Sequence, residues 1–317
     1  MSSNVAAIAT FGLSKCFGRV EALRELDLSV APGEVMGFLG PNGAGKTTTI
    51  RLLLGLLMPS AGRAEIFGID CHRRPVEVHR RLAYVAGEAS LWPGLTGAET
   101  LHLLGRVGGL VDTSYRDELV ERFGLDISRK VRTYSKGTRQ KLILVAGLMG
   151  RADLLVLDEP TSGLDPLMEQ AFRLSIREAK ERGQTVFLSS HVLSEVEALC
   201  DTVAILRAGV LIEQGNLADL RHLSALSIEV TFDAAVPDLS AVPGVSGVEV
   251  TGQVVRLQVR GGIEPLLQVL ASAGTHQLLS REPSLEELFL ALYGAAGEVA
   301  AGEVAAAEVA AGSNGHS

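Results

Sequence analysis

The chain has 317 residues, enough for two domains of ordinary size, and 47% of them are apolar, so a sizeable core can be buried. Its net charge of −8 argues against a general nucleic-acid binder, since such proteins carry a basic face. Three cysteines (Cys16, Cys71 and Cys200) show no paired spacing, which suits a reducing compartment and no disulfide framework. Met1 to Thr10 lacks the basic-then-apolar pattern of a secretory signal. No apolar run approaches the roughly 20 residues of a spanning helix. The longest, around Leu142 to Met149, predicts a buried helix, so any membrane role is expected to run through a partner.

From residue 5 to about 222 short apolar runs alternate with helical stretches, the pattern of an α/β domain. Val35–Leu39 reads as a buried strand feeding a glycine-rich loop, with a helix over Thr47–Leu57 behind it. Leu154–Leu157, Thr185–Leu188 and Val203–Leu206 are further continuous apolar runs, as expected of parallel strands covered on both faces. Between about 88 and 150 the strand pattern gives way to helical periodicity, as in Glu99–Leu104 and Asp117–Phe123, which predicts an inserted helical subdomain. A small α+β domain is expected over 223–294. Ile228, Val230 and Phe232 alternate with polar residues there, as do Val255, Leu257 and Val259, and Ile263–Ala273 reads as a helix. Ser284–Glu287 is a capping box opening a last helix through Tyr293. The tail, 295–317, repeats Glu-Val-Ala-Ala every five residues, a period that fits neither helix nor heptad, and is expected to be disordered or weakly helical.

Gly40-Pro41-Asn42-Gly43-Ala44-Gly45-Lys46-Thr47, with Thr48 behind it, matches the phosphate-loop pattern. Its glycines let successive backbone N–H groups turn inward on phosphate oxygens, and the following helix adds its positive end. Lys46 brings a compact charge to the β- and γ-phosphates, and the Thr47 hydroxyl can ligate Mg²⁺. The second half of such a site is an acidic strand end. Leu154–Leu157 is followed by Asp158, a metal ligand candidate, and Glu159, a candidate general base.

Over about residues 5 to 220 the chain resembles the nucleotide-binding subunits of ATP-binding cassette (ABC) transporters. Tyr134-Ser135-Lys136-Gly137-Thr138 resembles the family signature, Ser162-Gly163-Leu164-Asp165 its D-loop, and His191 its switch histidine. Phe17 stands where the family places an aromatic stacked on adenine. The resemblance implies a phosphate-loop cassette with a helical subdomain, followed by a small accessory domain. It also implies ATP and Mg²⁺ as cofactors. Two copies would pair head to tail, so that Ser135 and Gly137 touch the γ-phosphate held by the other copy's loop, with Asp165 nearby. His191 would help position the attacking water. The partners implied are a second copy and a separate transmembrane permease, with no nucleic acid, and the place is the cytoplasmic face of the membrane.

Two departures matter. The signature reads Tyr-Ser-Lys-Gly-Thr, a start similar to that of bacterial drug and antibiotic exporter ATPases, and it keeps Ser135 and Gly137. In the Q-loop, counting back from Leu95-Thr96 puts Gly87 at the position of the usual Gln or Glu, with Glu88 next to it as a shifted candidate for the metal. A cassette acting on ribosomes or DNA is the main alternative. The acidic charge disfavours it, as does the lack of a second cassette or a long coiled-coil insert. A cassette that only binds ATP is disfavoured by the presence of Lys46, Asp158, Glu159 and His191 together.

Overall fold

A computed structural model describes residues 5–87, 90–109, 112–222, 226–233, 236–281 and 285–287. The chain divides into two compact units, one through Asn216 and one from Leu217. The predicted end of the first domain at 222 therefore lies six residues into the second unit.

In the first unit, β1 (Ile8–Phe17), β2 (Val20–Leu26) and β3 (Ser29–Val30) begin an antiparallel sheet that the sequence did not predict. The chain then enters β4 (Val35–Leu39), whose five residues are all buried, and passes through the glycine-rich loop into α1 (Lys46–Leu53). That helix stops four residues short of the predicted Leu57. Leu54 caps it and Gly55 follows in the left-handed region, at φ 66°. Next, β5 (Ala61–Ile66) and β6 (Ile69–Asp70) complete the antiparallel sheet, in the order β2-β1-β5-β6 with β3 on β1. After α2 (Pro75–His79) and β7 (Leu82–Val85) comes the helical region, α3 (Gly97–Gly108), α4 (Thr113–Arg122) and α5 (Lys136–Leu148). Local chemistry starts each of these helices. Thr96 and Glu99 form a capping box, Asp112 accepts from the Tyr115 amide, and Ser135 accepts from the Thr138 amide. Leu101, Leu119, Phe123 and Leu142 close one core with Val85 of β7. Then β8 (Leu154–Asp158), α6 (Pro166–Glu181), β9 (Thr185–Ser190), α7 (Leu193–Leu199), β10 (Thr202–Arg207) and β11 (Val210–Asn216) follow.

The second sheet of this unit runs β11-β10-β4-β9-β8-β7, parallel except for β11 at the edge. Every residue of β4, β8 and β9 is buried, which is why these strands read as unbroken apolar runs. Their order sets the site. The carboxyl ends of β4, β9 and β8 stand side by side, and crevices at such ends are where open parallel sheets bind ligands.

The second unit has α8 (Leu217–His222), β12 (Leu226–Phe232), β13 (Val245–Thr251), β14 (Val254–Val259), α9 (Glu264–Ser272) and β15 (Thr275–Arg281). Its antiparallel sheet runs β13-β14-β12-β15, and Leu266 and Leu270 of α9 pack on Ile228, Val230, Val255 and Leu257. Of the helix predicted over 284–293, only Leu285–Glu287 lies within the described residues, and the repeat tail lies outside them.

Candidate active site

The loop from Gly40 to Thr47 leaves the buried end of β4 and turns directly into α1. Gly45 is the residue before that helix and has φ 112°, a conformation open to glycine and strained for any other side chain. No acidic residue stands in the first turn of α1, so its positive end is left to an incoming anion. Lys46 is buried beneath the loop. Its Nζ donates to the carbonyl oxygens of Gly40 (2.6 Å) and Pro41 (3.3 Å) and stands 3.7 Å from Glu159 Oε1. Burial lowers its pKa, against the opposing pull of Glu159 and Asp158.

The acidic strand end faces it. Asp158 is buried, and its Oδ1 accepts from Ser189 Oγ at 2.7 Å. Glu159 lies in the left-handed region at φ 48°, unusual for a non-glycine residue and costing on the order of 1 kcal/mol or more. Its amide is held by Ser189, donating to the carbonyl oxygen at 3.1 Å and the hydroxyl at 3.2 Å. This turn presents the carboxylate between Lys46 and His191, whose Nδ1 is 3.3 Å from Glu159 Oε1. Asn42, Thr47, Asp158 and Glu159 share a cavity of about 390 Å³ with Arg51 and Tyr84.

Ser189 is the residue that sequence reasoning missed. Only the pairing of β8 with β9 sets Asp158 opposite Ser189, and nothing local announces that neighbour. We expect Ser189→Ala to cost about 1–3 kcal/mol of stability, because it strips a buried carboxylate of its donor. Denaturant unfolding measures this, and saturating Mg²⁺–nucleotide should narrow the gap.

Among the described residues, no group of three or more His, Cys, Asp or Glu converges to hold a metal. A nucleotide-type Mg²⁺ site needs none, since one or two protein oxygens suffice when phosphates and water complete the shell. Thr47 and the buried Asp158 carboxylate on one cavity wall fit that demand. Glu88, the other metal candidate, lies outside the described residues. Gly87 packs so tightly on the strand end that a Cβ there would come within 2.8 Å of the Asp158 carbonyl oxygen.

The remaining candidates stand in two other places. Ser135, Gly137, Gly163 and Asp165 line one separate cavity of about 390 Å³, bringing signature and D-loop together. Ser135 and Asp165 cap α5 and α6 there, Asp165 accepting from the Met168 amide at 3.0 Å. Phe17 ends β1, half-exposed, with Lys15 Nζ 5.0 Å from its ring centroid. It belongs to the hairpin whose Ala22 carbonyl closes on Gly45. A further, largely apolar groove of about 460 Å³ runs between β7, α3 and α5, with Trp92, Leu104, Val107 and Ile143 among its walls.

The profile of the ABC transporter family matches residues 23–162. Over 304 residues the chain is 38% identical to the daunorubicin resistance ATP-binding protein DrrA3 of Streptomyces coeruleorubidus, covering 91% of this chain and 96% of that one. Among solved structures, an ATP-binding subunit of an ABC transporter superposes with a TM-score of 0.64 at 32% identity, covering 68% of this chain and 92% of that one. A dimeric ATP-binding cassette in a post-hydrolysis state, bound to ADP and phosphate, shares the fold at a TM-score of 0.60 and 22% identity, covering 66% and 98%. With a glycine-rich phosphate-loop motif, an acidic strand end and a histidine meeting at the carboxyl ends of β4, β8 and β9, and a relative matched over nearly its whole length, the chain belongs to the ABC transporter family, as one of its ATP-binding and ATP-hydrolysing subunits.

Proposed function

We propose that this ATPase drives a separate membrane permease that exports a drug, antibiotic or lipid-like molecule, and that it works as a head-to-tail pair at the cytoplasmic face of the membrane. The observation that carries the hydrolytic part is the Glu159 carboxylate set between Lys46 Nζ at 3.7 Å and His191 Nδ1 at 3.3 Å. In this mechanism Gly40–Thr48 cradles the phosphates, with Lys46 moving its charge from the Gly40 and Pro41 carbonyls to the β- and γ-phosphates. Phe17 stacks on adenine. Thr47 and Asp158 would hold Mg²⁺, which would supply charge neutralisation for the phosphates there. Glu159 takes a proton from water as its oxygen attacks the γ-phosphorus and the bond to the β-phosphate oxygen breaks, giving ADP and phosphate. His191 steadies that water and the γ-phosphate. Ser135 and Gly137 of the second copy close on the same phosphate, at the start of α5.

Among the described residues no helix is long and apolar enough to cross a membrane. The permease would instead seat an apolar helical segment in the groove beside Trp92 and Val107, both well exposed there. The loop through Ala86 walls both this groove and the nucleotide cavity, which supports the choice of surface. The test is co-purification of the tagged full chain from detergent-solubilised membranes, followed by reconstitution in liposomes. A co-purifying multi-span protein should stimulate ATP hydrolysis, and Val107→Glu should remove the stimulation. Recovery of ribosomes or nucleic acid in its place, or stimulation indifferent to Val107→Glu, would overturn the reading.

A further inference from the structure

Two consecutive serines end β9, and successive side chains of a strand point to opposite faces of its sheet. Ser189 lies beside Asp158 of β8 and holds the Glu159 amide, whereas Ser190 lies beside Leu39 of β4. Ser190 is buried. Its Oγ donates to Glu195 Oε2 at 3.0 Å and accepts from the Val192 amide at 2.9 Å. His191 sits in the chain between the two residues joined by that last bond. Its ring is half-exposed, so the backbone turn, rather than packing, sets its direction. Glu195 stands in the first turn of α7 with only 4% of its surface exposed. Burying a carboxylate is costly unless it is hydrogen-bonded, and the Ser190 hydroxyl meets that demand. The helix is itself seated firmly on β4, where a Cβ on Gly37 would come within 2.5 Å of Val196 Cγ1.

We propose that Glu195 is a positioning residue for His191, acting through Ser190. A carboxylate only accepts hydrogen bonds, so it commits the single Ser190 proton to itself. The lone pairs that remain take the Val192 amide, and the backbone on both sides of His191 is pinned to one hydroxyl. A glutamine at 195 can offer either an N–H or an oxygen, which leaves that proton uncommitted. The proton can then turn to the Val192 carbonyl oxygen, 3.4 Å away, and the turn loses its fixed shape. The end of β9 thus carries both halves of the hydrolytic geometry. Ser189 sets the Glu159 backbone, Ser190 sets the His191 turn, and the two side chains so aimed stand 3.3 Å apart. This rests on the reading of His191 as the residue that steadies the attacking water.

The test is a double-mutant cycle on the full chain. It reads single-turnover hydrolysis of Mg²⁺–ATP with protein in excess, affinity for a non-hydrolysable analogue by calorimetry, and fold integrity by denaturant unfolding. Glu195→Gln should lower the hydrolysis rate roughly tenfold, the scale of a small misplacement at a reacting centre, and leave affinity within about twofold of the parent. In a His191→Ala background the same substitution should cost nothing further, because the group that it positions is gone. A merely structural role would give the same loss in both backgrounds. Ser190→Ala goes through the same cycle with the same expectation, and carries the test if the Glu195→Gln chain fails to fold. Parent-like hydrolysis in either variant, or an equal loss with and without His191, would overturn the proposal. Parent-like hydrolysis in His191→Ala would instead bring down the reading of His191, and this link with it.

Discussion

Glu159→Gln should bind ATP as the parent does, or more tightly, while turnover falls roughly 10²- to 10⁴-fold, the usual contribution of a positioned base. The substitution keeps the shape of the side chain and the left-handed backbone that aims it, and removes only the charge and the basic oxygen. That charge now stands 3.7 Å from Lys46 Nζ and 3.3 Å from His191 Nδ1. Neutralising it also removes a like charge from beside the γ-phosphate, so the ATP-bound pair of subunits should persist. Size-exclusion chromatography with Mg²⁺–ATP should show a dimer for the variant, and steady-state phosphate release should show the lost turnover. Hydrolysis at the parent rate would mean that Glu159 is not the base.

How much of this was legible beforehand depends on how local each feature is. The phosphate loop is one contiguous pattern between an apolar strand and a helix, and the Asp158–Glu159 pair ends a run of four apolar residues, so both could be read from short windows. Ser135 and Asp165 were legible for a second local reason, since each caps the helix that follows it. The contacts between segments were not legible. Ser189 meets Asp158 because β8 lies beside β9, and Tyr84 reaches both cavities because β7 lies at the edge beyond β8. Strand order is a long-range property that no window of residues contains. The antiparallel sheet was hidden for another reason. The pairing of β1 with β2 and β5 is interrupted by register shifts, and β3 and β6 are only two residues long, so the alternation that betrays a half-buried strand is broken. In the second unit β12 and β14 alternate cleanly and were predicted, whereas β15 is an edge strand exposed at nearly every position and has no alternation to find.

Lys46→Ala should weaken ATP binding by about 3 kcal/mol, roughly 150-fold, the scale of a strong hydrogen bond to a charged group. The ammonium is the cation nearest the acidic strand end, buried with only 6% of its surface exposed, and Asp158 and Glu159 both act on it. In the free protein the Gly40 and Pro41 carbonyls hold it under the loop, so the side chain is already gathered at the site and exchanges these two acceptors for phosphate oxygens on binding. An alanine leaves two carboxylates facing a polyanion with no fixed positive charge between them. Lys46→Arg should rescue little, because the planar guanidinium cannot occupy a seat shaped for a compact ammonium. Calorimetry with a non-hydrolysable analogue measures both variants. The alanine loss should be larger in chelator than in Mg²⁺, since a metal on Thr47 and Asp158 offsets part of the missing charge. Parent-like affinity in Lys46→Ala would exclude the loop as the phosphate seat, and an equal loss with and without metal would exclude Asp158 as the group that the lysine and the metal share.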